Sequence, residues 1–125
     1  GGPPRFWAVD WAREWAARAR AKTHPGGPLF VYEVPHETLY PLTGTVTPGG
    51  FYVNPSFWYY LNKDGLDARL ASSLRGRPDV PILFREPPGG RDGDALRKTK
   101  TYRFLMEETE VVERIESRAE WRKRR

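Results

Sequence analysis

The stretch from Arg5 to Pro35 constrains this chain more than any other, because it alternates extended and helical patterning within one short span. Arg5-Phe6-Trp7-Ala8-Val9 reads as a strand, and Asp10 then caps a run of strong helix formers, Trp11 to Ala21. Trp11, Ala12, Trp15, Ala16 and Ala19 fall on one face of that helix at helical spacing. Arg13, Glu14, Arg18 and Arg20 take the wet face, with Glu14 and Arg18 spaced as a favourable ion pair. Thr23-His24-Pro25-Gly26-Gly27-Pro28 cannot continue a helix, so Leu29 to Val34 follows as a second strand. Glu33 interrupts that apolar run, either at a strand end in solvent or in a cleft, because a buried unpaired carboxylate is too costly to be incidental.

Beyond Pro35 the pattern breaks into a loop to Gly50, then a short strand Phe51-Tyr52-Val53. Asn54-Pro55 opens a helix in cap-then-proline order, with Phe57, Trp58, Tyr60 and Leu61 on its apolar face. Leu66, Leu70 and Leu74 mark another helical segment. Val80 to Phe84 reads as a strand, with Pro81 at an edge or a strand start. Arg85 to Asp94 reads as a flexible loop and Lys100 to Met106 as a strand. Thr109 to Ile115 suits a strand or the start of a helix. The order of elements predicts a mixed α+β fold in a single domain over residues 1–125, a module or fragment of something longer, with a solvated basic tail at 117–125.

Cysteine is absent, which excludes disulfides, thiolate metal sites and a cysteine nucleophile. With only His24 and His36 present, a catalytic zinc site lacks its usual ligands. No run of apolar residues is long enough to span a bilayer, so no membrane association is expected. The serines lack a Gly-x-Ser-x-Gly elbow. Gly26-Gly27 precedes a strand and Gly89-Gly90 lies in a long loop, so neither reads as a phosphate loop. The net charge of +5 concentrates at Arg97-Lys98-Thr99-Lys100 and Trp121 to Arg125, and basic patches of this kind fit nucleic acid, a phosphate-bearing ligand or an acidic partner.

What remains is a chemistry of carboxylates, aromatics and guanidinium groups. Glu33, Glu37, Glu86, Glu107, Glu108 and Glu110 sit at strand ends or in adjoining loops, Trp7, Tyr32, Tyr52 and Tyr102 in strands, and Arg5, Arg85 and Arg103 nearby. These are the parts needed to break the nicotinamide–ribose bond of NAD: an aromatic face for nicotinamide, guanidinium for pyrophosphate, and a carboxylate for the oxocarbenium-like sugar.

Phe6-Trp7-Ala8 followed by Asp10, the Ala/Trp helix, and Pro28 to Pro35 resemble the middle of an ADP-ribosyltransferase fold. Lys100-Thr101-Tyr102-Arg103 through Glu107 to Val112 is similar to the closing strands of the rifampin ADP-ribosyltransferase group. The resemblance implies a split β-sheet with flanking helices and NAD, as substrate, in the cleft. Trp7 would stack on nicotinamide, Tyr32 and Tyr52 would line the cofactor, Arg5 or Arg103 would contact phosphate, and Glu37 or Glu110 would be the catalytic carboxylate. It further implies a bacterial toxin or effector module delivered into a target-cell cytoplasm, a protein or nucleic-acid acceptor for the ADP-ribosyl group, and a cognate immunity protein. A cytoplasmic enzyme, a nucleic-acid-binding or nucleolytic module, and a protein-interaction domain acting as an inhibitor are the competing readings.

Overall fold

The computed structural model describes residues 13–34, 43–48 and 64–125. Within these, α1 covers residues 13–20, followed by β1 (Phe30–Tyr32), α2 (Asp64–Arg75), β2 (Ile82–Arg85), α3 (Arg91–Arg97), α4 (Lys100–Glu108), β3 (Thr109–Glu116) and β4 (Ala119–Arg124). The protein is a small mixed α+β fold with a four-stranded open sheet in the order β1-β2-β4-β3. β1 and β2 run parallel, so a crossover must join them, and α2 lies in that connection. β4 pairs antiparallel with both β2 and β3, and β3 and β4 form a hairpin turning at Ser117-Arg118.

Side-chain alternation along the strands gives the sheet two covered faces. Val31, Leu83, Ala119 and Trp121 point to one face, where α1 lays down Trp15, Ala16 and Ala19. Phe30, Tyr32, Ile82 and Phe84 point to the other, against Leu70 and Leu74 of α2 and Phe104 and Leu105 of α4. Of the expected apolar face of the first helix, Trp15, Ala16 and Ala19 are buried, and Glu14 pairs with Arg18 at 2.8 Å on its wet side; Trp11, Ala12, the Asp10 cap and the strand Arg5 to Val9 lie outside the described residues. The end of this helix is also where expected: Thr23 Oγ1 donates to the Ala19 carbonyl at 2.8 Å. Leu29 to Val34 supplies β1, and Pro81 immediately precedes β2, its carbonyl accepting from Phe30 N at 3.0 Å. Phe51 to Val53 and the helix opening at Asn54-Pro55 lie outside the described residues.

Three sequence expectations are corrected. Lys100 to Met106 is helix, not strand. Thr101, Phe104 and Leu105 bury one helical face, and the first turn is unusually well capped. Thr99 Oγ1 accepts from Tyr102 N at 3.1 Å, while Asp67 of α2 accepts from Lys100 N at 2.7 Å and from Thr101 N at 3.0 Å. Thr101 Oγ1 donates to the same carboxylate at 2.7 Å. Those partners satisfy backbone donors that a helix start leaves open, so the strand propensity of Thr, Tyr and Phe loses to tertiary capping.

The second correction concerns Arg91 to Asp94, read as loop, which opens α3. Gly90, with φ +100°, stands between β2 and α3, so the Gly89-Gly90 pair does link a strand to a helix.

The third is the C-terminus. Residues 119–124 are not a solvated tail but a strand with a neighbour on both sides. Trp121 is 4% exposed, and Glu120 and Arg122 are buried on the opposite face as an ion pair. Arg122 also donates from Nε to Thr109 Oγ1 at 2.8 Å and lies over the Phe84 ring at 5.6 Å. Charged residues read as solvent-facing in a sequence, yet Glu120 and Arg122 are matched inside the fold.

Trp121→Ala should therefore destabilise the protein by about 3–5 kcal/mol, the cost of truncating a large core ring. Urea unfolding followed by circular dichroism measures this; a shift under about 0.5 kcal/mol, normal for a surface residue, would restore the tail reading.

Candidate functional site

The parallel strands β1 and β2 end side by side, and the groups with chemical capability gather there. Tyr32 ends β1, Phe84 and Arg85 end β2, and Glu86 follows directly. Glu86 is fixed by extension of the β2–β4 ladder: its N–H donates to the Arg118 carbonyl at 2.7 Å, and Arg118 returns a guanidinium hydrogen bond to the Glu86 carbonyl at 3.1 Å. The carboxylate projects toward α3 and α4. Arg97 Nε donates to Oε1 at 3.0 Å, and the Tyr102 hydroxyl donates to Oε1 at 2.9 Å and Oε2 at 3.2 Å. Glu86 and Arg97 keep 34% and 29% of their side chains exposed, so the carboxylate is held without being sealed off.

Behind it stands an aromatic wall. Tyr32 stacks on Phe84 with ring centroids 5.2 Å apart and planes 13° from parallel, and Tyr102 lies tilted 6.5 Å from Tyr32 and 6.3 Å from Phe84. Tyr32 is fully buried, yet its hydroxyl has no hydrogen-bond partner among the described residues. Burial, then the charges of Glu33, Tyr102, Glu86 and Asp67, push its phenol well above the ordinary value. Tyr102 is pushed up as well, first by burial and then by its hydrogen bond to Glu86, with Arg97 opposing. Glu33, half-buried after β1, takes a left-handed backbone at φ +56°, the only non-glycine residue among those described to do so. Local strain of this kind gathers at functional sites.

The structure separates the site residues assigned from sequence. Tyr32 enters the cluster, but Phe84 covers its ring face, so it backs the site rather than offering a stacking surface. Arg103 is exposed on α4. Glu110 lies on β3, at the far side of the sheet from β1 and three strand spacings, about 14 Å, away from it; it faces Lys123 at 3.9 Å on the surface. Arg5, Trp7, Glu37 and Tyr52 lie outside the described residues. Sequence reading named Glu86 and Tyr102 among many equivalents, and missed Asp67 and the role of Arg97. The Thr99 cap and the Thr101, Phe104, Leu105 spacing were the signals that place Tyr102 on a helix beside Glu86. Among the described residues no three His, Asp or Glu converge as a metal site, and no helix is long and apolar enough to cross a membrane.

Compared with protein families, curated proteins and solved structures, the chain matches none.

The raised Tyr102 phenol gives a pH prediction. A neutral, hydrogen-bonded phenol stabilises the fold fully below the unfolded tyrosine value of about 10. That contribution is lost as pH rises through the higher folded value. Alkaline titration of phenolate absorbance should show one late-titrating group fewer in Tyr102→Phe, and Glu86→Gln should bring Tyr102 back toward ordinary titration. Unchanged curves in both variants would contradict the Glu86 contact.

Proposed function

We propose that this chain is an NAD-cleaving domain of the ADP-ribosyltransferase kind, acting as a transferase or a glycohydrolase, with Glu86 as its carboxylate. The observation that carries this reading is the meeting of Glu86, Tyr102 and Arg97 where β1 and β2 end, beside the aromatic wall of Tyr32 and Phe84. Crevices at the carboxyl ends of parallel strands are common ligand sites. Carboxylate, aromatic and guanidinium are the three chemistries that NAD cleavage asks for.

In the proposed reaction the bond between the ribose C1′ and the nicotinamide nitrogen breaks, and its electron pair leaves with neutral nicotinamide. The Glu86 carboxylate stabilises the positive charge that develops on the sugar. Arg97 and Tyr102 hold that carboxylate in place, and Oε2, bonded only by Tyr102, is its freer oxygen. Water, or a nucleophile of a protein or nucleic-acid acceptor, then bonds to C1′ and loses a proton. Trp7 keeps its proposed role toward nicotinamide, Tyr52 lines the cofactor, and Arg5 contacts phosphate. The split-sheet fold, delivery as a bacterial toxin module and neutralisation by an immunity protein belong to the same proposal.

Nicotinamide release from NAD, followed chromatographically, tests it. Glu86→Gln should lower the rate by about 100- to 1000-fold, the scale of losing one electrostatic stabiliser, while circular dichroism shows the fold retained. Glu37→Ala and Glu110→Ala run beside it. No release by the parent protein would sink the reaction class, and loss in Glu110→Ala alone would move the carboxylate to β3.

A further inference from the structure

Several cations of the helices and of β4 are spent inside the protein. Arg97 is bound by Glu86 and Asp94, Arg75 and Arg124 converge on Glu108, and Arg122 is buried with Glu120. Four others are not: Arg91, Lys98, Lys100 and Arg103 are all exposed, and none forms an ion pair with a described residue.

These four lie along two adjoining open grooves. Arg91, Lys98 and Lys100 line a groove of about 850 Å³ between α3 and the start of α4. Lys100 and Arg103 line the next, about 420 Å³, between α2 and α4. Lys100 belongs to both, and Arg103 follows it by one helical turn, which makes them neighbours on the surface.

The acidic groups along the same path are largely engaged. Asp67 spends its carboxylate on the backbone and hydroxyl of Lys100 and Thr101, Asp94 is held by Arg97 at 3.2 Å, and Glu108 by Arg75 at 2.7 Å. Two acidic lining residues, Asp67 and Glu107, are paired by no described cation, and Asp67 is buried. The path therefore presents four unspent positive charges, all exposed, against two unpaired carboxylates, of which only Glu107 is exposed, and the cations are spread over two adjoining grooves rather than gathered at a point. A single small anion uses a point of charge; a chain of phosphates uses a line.

We propose that Arg91, Lys98, Lys100 and Arg103 form a docking strip for a single-stranded nucleic acid, held through its phosphates. No exposed ring lies among the lining residues, so the strip grips the backbone and reads no base sequence. This inference stands apart from the NAD reading, because it uses none of the residues placed at the Glu86 site.

The test is fluorescence anisotropy with a fluorescein-labelled oligothymidylate. Four phosphate contacts on a single strand give a salt slope of about −2.8, an affinity loss of about fifty-fold between roughly 50 and 200 mM salt. Lys98→Ala/Lys100→Ala should bind more weakly and reduce the slope to about −1.4, a loss of about sevenfold over the same range. Arg13→Ala/Arg77→Ala removes equal charge from α1 and from beyond the far end of α2 and should leave both quantities unchanged. Equal weakening in the two double variants would reduce the strip to general surface charge and overturn the proposal. So would absence of binding at low salt, or polyglutamate competing as well as unlabelled oligothymidylate. NAD cleavage measured on the same variants should be unaffected, so failure of one reading does not carry the other with it.

Discussion

The buried Arg122 guanidinium is the interaction on which the rest depends. It joins β4 to β3 through Thr109, pairs with Glu120 on its own strand, and covers the Phe84 ring of β2. It thus ties together three of the four strands. Removing one partner of a buried ion pair strands the other in a low dielectric, at about 3–5 kcal/mol. β4 can therefore occupy the sheet interior only as a complete set of matched charges. Arg124 extends the pattern: it lies over Phe104 at 5.2 Å, approaches Glu108 at 3.7 Å, and donates to the Arg75 carbonyl at 2.7 Å.

That arrangement reaches the candidate site through the backbone. With β4 in place, Arg118 at its entry pairs with Glu86 and fixes where the β2 strand delivers its carboxylate. The opposite wall comes from α2, whose Asp67 caps α4 and so orients Tyr102 toward Glu86. The site is built from segments far apart in the chain, each held by a polar contact rather than by apolar packing alone. Such contacts are costly when half-made and specific when complete.

The hydrogen-bonded Glu86 and the orphaned Tyr32 hydroxyl lie within the same aromatic cluster but differ in kind. One is satisfied and partly exposed; the other is buried and has no partner among the described residues. A satisfied carboxylate stays placed, whereas an unpartnered buried hydroxyl loses hydrogen-bonding free energy until something meets it. Together with the strained backbone of Glu33, they mark the ends of β1 and β2 as the region where the fold carries local cost.

By itself the sequence determined the elements whose signal is local. The apolar stripe of α1, its Glu14–Arg18 pair, the stop at Thr23 to Pro28, the run into β1, the Leu66, Leu70, Leu74 spacing of α2 and the start of β2 after Pro81 all follow from short-range periodicity and breakers. Only the tertiary structure decided the second half. Lys100 to Met106 carries residues suited to either state, and a carboxylate 33 positions before Lys100 selects helix by capping it. Ala119 to Arg124 looks like a solvated tail because its charges find partners only once β3, β2 and α2 surround it. The Glu86 site was illegible for the same reason: nothing local distinguishes Glu86 from the other carboxylates, and long-range pairing alone brings Arg97, Tyr102 and Tyr32 to it.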